Sequence, residues 1–254
     1  MKLGLFLISV LAGVFPPPQD KPPTVSTLVQ RFESRYRASK TLQANFLETY
    51  FDSGKVVRTE AGTAYFGKPG KMRWEYGFPE ANLYVVDGKW SWFYVPADHT
   101  VTRARAKQSS DSRTPLALLA GEMKVSRICK NVVLEDSSGA GQSQGVVLRC
   151  NLRGSDDRIP ATATTTAISS AVQGAYALFE LNPRTGELLR ILVVDSGGVQ
   201  VEFRFSNWQF DPLLQASKFS FQPSKGIAIV DGEFGATPDA RERKPERYGR
   251  PPQT

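Results

Sequence analysis

The chain has 254 residues, with 41% hydrophobic, 22% charged and 11% aromatic side chains, a composition that excludes a disordered chain and a polytopic membrane protein. Lys and Arg number 32 against 25 Asp and Glu, a net charge of +7 that is dispersed along the chain; this argues against nucleic acid and leaves acidic proteins or anionic lipid headgroups as partners. The single histidine, His99, excludes a multi-histidine metal site, and it sits in a strand-joining turn, Pro96-Ala97-Asp98-His99-Thr100, rather than in a catalytic setting.

In chain order, residues 1–15 begin Met1-Lys2 and run apolar from Leu3 to Val14, too short for a bilayer span and of the form of an export signal. Val14 follows Leu11-Ala12-Gly13 where a lipid-anchored protein would carry cysteine, so no lipid anchor is expected. After a Pro-rich linker at 16–23, Val25, Leu28, Val29, Phe32 and Tyr36 recur at helical spacing and predict an amphipathic helix. From Leu42 to Ala106 the period becomes two, punctuated by Asp52-Ser53-Gly54-Lys55, Gly67-Lys68-Pro69-Gly70, Gly77-Phe78-Pro79 and Asp87-Gly88, which predicts antiparallel hairpins. The Asp87-Gly88 pair predicts a type I′ turn.

Thr114-Pro115 then offers a helix start before Leu116, Leu118, Leu119 and Met123, a short segment so apolar that it must be covered on more than one side. Strands resume at Arg127–Leu134 and Gly145–Leu152, and return at Ala175–Leu181, Leu188–Val194 and Val199–Trp208. Residues 153–174, rich in Ser, Thr, Ala, Asp and Gly, read as an inserted surface loop, and 231–254 as a disordered charged tail. Cys129 and Cys150, each in a strand-like run of an exported chain, are expected to form a disulfide; the alternative is two buried small hydrophobes. The count is about ten or eleven strands. The predicted class is mainly β (α+β): an incomplete antiparallel β-barrel curled around a hydrophobic cavity, covered by the N-terminal helix and the short apolar helix.

An ordered set of residues runs through this frame: Phe46, Gly62, Lys68-Pro69, Arg73-Trp74, Asp87-Gly88, Trp92, Tyr94, Pro96, Thr114-Pro115-Leu116, Phe203, Phe219, Phe221, Pro223 and Gly226. In order and spacing over 25–230 it resembles the periplasmic outer-membrane lipoprotein carrier family, LolA. The resemblance implies a lipoprotein-carrier-like domain at 24–230 whose inner face binds acyl chains beneath a helical lid. It further implies acylated lipoproteins as cargo, an inner-membrane lipoprotein-releasing transporter as donor and an outer-membrane acceptor, with no cofactor, no metal and no catalytic residue.

By position, Met72, Trp74 and Tyr76 resemble a strand facing the acyl cavity, and Leu116, Leu119 and Met123 resemble the lid surface; for the strand residues the alternative is ordinary core. Lys68 stands where many family members carry an arginine that holds the lid, which implies lid control; a solvated turn lysine is the alternative. Trp90, Trp92 and Tyr94 share one strand face while Phe93 and Val95 share the other, and the pattern leaves open which lines the interior. Arg103, Arg105 and Lys107 alternate on a strand as a partner-facing surface. Two other functions stay open: a lipid- or lipoprotein-sensing regulator of the envelope on the same fold, and a secreted hydrolase using carboxylates among Glu48, Glu60, Glu75 and Asp87, which no spacing pairs.

Overall fold

The computed structural model describes residues 23–106, 114–121, 124–135, 145–153, 174–195 and 197–232. The expected signal segment, nearly all of the Pro-rich linker, Lys107, Met123, the inserted loop between Arg153 and Gly174, and the tail beyond Gly232 lie outside the described residues.

Helix α1 (Val25–Arg37) begins at Thr24, whose hydroxyl accepts from Thr27 N at 3.2 Å, and it buries Leu28, Phe32 and Tyr36 along one stripe. Six strands follow: β1 (Thr41–Asp52), β2 (Lys55–Gly67), β3 (Lys71–Phe78), β4 (Leu83–Val86), β5 (Trp90–Val95) and β6 (Thr100–Arg105). A 3-10 turn at Thr114–Leu116 runs into α2 (Ala117–Ala120), and α3 (Val125–Ile128) leads into β7 (Cys129–Leu134). The chain closes with β8 (Val146–Leu152), β9 (Tyr176–Leu181), β10 (Leu188–Val194), β11 (Gln200–Phe210), a 3-10 turn at Ala216–Phe219 and β12 (Ala228–Asp231).

Among the described residues, twelve strands form one sheet in the order β12-β6-β5-β4-β3-β2-β1-β11-β10-β9-β8-β7. Every ladder is antiparallel except β12 on β6, and β12 and β7 are the two edges, so the barrel is incomplete. The sheet is strongly curved. Strands β3 and β11 are separated by β2 and β1, about 14 Å on a flat sheet, yet the rings of Trp74 and Phe203 lie 5.4 Å apart, centroid to centroid. On this concave side, residues of β1–β4 and β8–β11 form one contiguous core with α1 and α2.

The strand count exceeds the expectation of about ten or eleven because β12 pairs with β6 after a long irregular stretch, a parallel contact that no local period announces. Asp231, expected to open the charged tail, ends β12 and meets the Arg103 guanidinium through both oxygens at 2.7 and 2.9 Å. The strand expected from Arg127 starts at Cys129 instead, since Val125–Ile128 form a helical turn. At Asp87-Gly88 the turn differs from type I′: Gly88 alone has positive φ, and Asp87 accepts from Lys89 N and Trp90 N through Oδ1. Burial acts to raise the Asp87 pKa, but these bonds and the Trp92 indole N–H hold it below the usual carboxylate range. Cys129 and Cys150 are joined as a disulfide between β7 and β8. Among the described residues, no helix is long and apolar enough to cross a membrane.

Candidate functional site: the concave face and its cover

Strand alternation places Leu42, Ala44, Phe46, Glu48 and Tyr50 of β1 on the inner face, with Ala64 and Phe66 of β2 and Met72, Trp74 and Tyr76 of β3 beside them. Trp74 is fully buried, and its indole meets Phe46, Phe66 and Phe203 edge-on at centroid distances of 4.8, 5.8 and 5.4 Å. Met72 and Tyr76 are buried on the same row. The side chains that the sequence assigns to an acyl cavity are thus packed against one another in this form.

Leu116 and Leu119 are buried in the same core, joined by Leu118 and Ala120, so the short apolar segment is covered on several sides. It sits over β2 and β3, and Gly70 N of the β2–β3 turn donates to Ala120 O at 2.7 Å. The structure therefore brings Met72, Trp74, Tyr76, Leu116 and Leu119 into one cluster. On β5 the ambiguity resolves: Phe93 packs on this inner core, whereas Trp92 joins Val85 and Val101 on the outer face, covered by Phe221 and Ile227 with Trp90 and Tyr94 alongside.

Lys68 meets the end of α1, one of the two helices expected to cover the barrel. Its Nζ donates to Tyr36 O at 2.6 Å and to Arg37 O at 3.0 Å, the closing carbonyls of α1, and its backbone N–H donates to Lys40 O at 3.0 Å. The lysine thus secures α1, while the adjoining Gly70 amide holds α2. Burial pushes the Lys68 ammonium pKa below its ordinary value, Asp211 opposes that shift and Arg37 adds to it. Lys68→Leu is expected to cost about 1–2 kcal/mol through the lost charge-assisted bonds at a helix C-terminus. The check is the midpoint of urea unfolding, with Lys68→Arg retaining more stability than leucine.

α1 is also seated from below. Gly186, at φ +71°, lies so close that an added Cβ would stand 2.7 Å from the Arg31 carbonyl carbon. Arg31 donates to Pro183 O, Arg35 to Glu187, and the Tyr36 hydroxyl accepts from Leu188 N at 2.9 Å.

One inner-face residue had no role in the acyl-cavity reading. Glu48 is fully buried, and its two oxygens accept from the hydroxyls of Tyr50 at 2.5 Å and Tyr76 at 2.8 Å. Its cross-strand neighbour is Glu60, which pairs with Arg58, whose guanidinium lies over the Tyr50 ring. This polar group interrupts the apolar inner face, and a glutamate on the buried register of β1, two residues after Phe46, was the signal for it. Glu75 is held by Arg73 and Lys218, and Asp87 by its own turn, so the four acids do not converge on one site.

Comparison with known proteins follows the same lines. The model of the outer membrane lipoprotein carrier protein LolA family matches residues 37–149. The outer-membrane lipoprotein carrier protein of Chromobacterium violaceum is 28% identical over 83% of this chain and 91% of its own length. That of Nitrosomonas europaea is 29% identical over 82% and 91%. The chain is similar to this family over those residues and to these carriers over most of their length. A solved conserved protein of Thermus thermophilus aligns with this chain at a TM-score of 0.46 and 14% identity, over 82% of this chain and 98% of that one. A LolA superfamily protein of Nitrosomonas europaea aligns at 0.39 and 11%, over 78% and 98%. The fold is described by the strand order and register of this chain itself.

Proposed function

We propose that this LolA-like chain is a soluble periplasmic carrier that shields the acyl chains of lipoproteins and moves them from the inner to the outer membrane. The sequence match to outer-membrane lipoprotein carrier proteins over most of both chains carries the reading. Residues 1–15 serve export, the body from 24 to 231 carries cargo, and the insertion at 153–174 and the tail are additions to that body.

The physics of the concave face supports it. Each acyl CH₂ left in water costs about 0.8 kcal/mol, so a triacylated anchor leaves a membrane only if something encloses it. A curved sheet with a contiguous apolar inner face and an apolar cover is such an enclosure. In the closed form the space is filled by aromatic side chains. Loading therefore means that α2 and its neighbours swing away and the acyl chains take their place against Met72, Trp74 and Phe46. The contacts exchanged are non-directional, which keeps release possible. No bond is made or broken, so the chain works as a chaperone and not as an enzyme. The donor is an inner-membrane lipoprotein-releasing transporter, and the recipient an outer-membrane acceptor.

The test is to purify the exported protein from cells, extract it with organic solvent and read the extract by mass spectrometry, then to offer it triacylated lipoprotein. Acyl-bearing cargo bound one to one is the expected result. Protein that neither carries nor accepts acylated lipoprotein, while folded, overturns the proposal.

A further inference from the structure

The inner face changes character partway along its strands. Nearest α2 the cross-strand rows are apolar: Leu42 with Phe66 and Met72, then Ala44 with Ala64 and Trp74. Phe46 follows, beside Gly62 and Tyr76, and beyond it the rows turn polar, with Glu48 against Glu60 and Tyr50 against Arg58. The cover stands at the apolar end, where Gly70 N of the β2–β3 turn donates to Ala120 O and α2 lies over β2 and β3. At the levels of Glu48 and Tyr50, β11 presents Phe203 and Val201, so the change belongs to the half of the sheet that α2 covers.

The polar end is enclosed and internally bonded. Glu48 has no exposed surface, and its carboxylate accepts from Tyr50 on its own strand and from Tyr76 two strands away. The bond to Tyr76 crosses β2 next to Gly62, where no side chain stands in the way. Glu60 is buried beside it and pairs with Arg58 at 3.0 Å, and the Arg58 guanidinium lies 4.0 Å from the Tyr50 ring centroid. A carboxylate in this setting is costly to strip of its donors, and an acyl chain pushed against it supplies none. From Leu42 to Glu48 the apolar run covers about 20 Å of strand, enough for a chain that fills one leaflet of a bilayer, about 15 Å deep.

We propose that Glu48, held by Tyr50 and Tyr76, is the end-stop of the acyl site and sets the chain length that the carrier accepts. The inference rests on the carrier reading and deepens it. A chain entering beneath α2 runs past Met72, Trp74 and Phe46 and gains from every CH₂ it buries. The rings along that path are held by non-directional contacts and give way, whereas Glu48 is tied by hydrogen bonds and stays. On reaching it, the chain either displaces the tyrosine hydroxyls and leaves a buried carboxylate without donors, or halts with its remaining carbons in water. Either way the gain ends. The stop works by polarity and not by bulk, so apolar groups of similar size remove it.

The probes are synthetic triacylated lipopeptides, identical except for an N-acyl chain of about ten to twenty carbons, titrated into the cargo-free full chain. Wild type is expected to gain about fourfold in affinity per added CH₂ up to a break and nothing beyond it. Glu48→Met combined with Tyr50→Phe and Tyr76→Phe exchanges the whole bonded group for apolar side chains. In this triple variant the break should vanish, and the longest lipopeptide should bind about tenfold or more tighter than to wild type. Glu48→Gln keeps the volume and an acceptor and should keep the break. Wild type that gains without a break, a folded triple variant with the break unmoved, or a Glu48→Gln variant that also loses it overturns the proposal. Independently of any variant, a lipopeptide of the break length with a diazirine at the chain end should label Phe46–Tyr50 or Tyr76 of wild type, and labelling confined to β8–β10 overturns the proposal. Binding of equal strength at all lengths overturns it alone, whereas no binding at any length overturns the carrier reading and takes this inference with it.

Discussion

Replacing Trp74 by alanine is expected to lower the unfolding free energy by about 3–5 kcal/mol, because a fully buried indole is lost from a cluster too rigid to collapse over the gap. For a domain of this size that corresponds to a fall in melting temperature on the order of 10 °C. The same substitution tests the site. If the space around Trp74 is where acyl chains lie, the vacated volume is apolar and lined by Phe46, Phe66 and Phe203, and a twelve-carbon alkyl ligand should raise the melting temperature of Trp74→Ala more than that of wild type. An equal effect on both would place ligand binding elsewhere. Trp90→Ala, on the half-buried outer face, is the control and should show little of either effect.

Gly62→Val is expected to be at least as damaging, at about 4 kcal/mol or more, for the opposite reason. A Cβ at this position would stand 1.9 Å from Glu75 O and 2.8 Å from its carbonyl carbon. Those are main-chain atoms of the neighbouring strand, so no side-chain rotation relieves the overlap, and β2 and β3 must separate. The separation falls where Gly62 pairs with Tyr76, beside the register shift between Ala61 and Gly62. Since Tyr76 carries one of the hydroxyls on Glu48, the variant should lose that bond as well. Denaturant unfolding followed by circular dichroism measures the loss. A midpoint close to wild type would show that the strands part freely at this point, which is incompatible with the packed form of the inner face.

Much of the architecture was legible because its causes are local. The stripe of Leu28, Phe32 and Tyr36 marks the buried side of α1, and the alternation from Leu42 to Tyr50 marks the inner side of β1; both periods follow from backbone geometry alone. The apolar run at Leu116–Ala120 required cover, and the core supplies it. Pairing between distant segments was not legible. Ala228–Asp231 lies beside β6 only because the chain after β11 returns along the outer face, where Phe221 and Ile227 cover Trp92 and Val101.

The same division runs through the candidate site. Side-chain chemistry by itself determined that the chain has an apolar inner row, an apolar cover and a basic balance, because burial and charge are properties of residue types and of their spacing. The tertiary structure alone decided which face of β5 turns inward, that Lys68 grips the end of α1, and that Glu48 is sealed between two tyrosines. A two-residue period distinguishes the faces of a strand without saying which is inside, and a flexible side chain takes its partner from whatever the fold brings within reach.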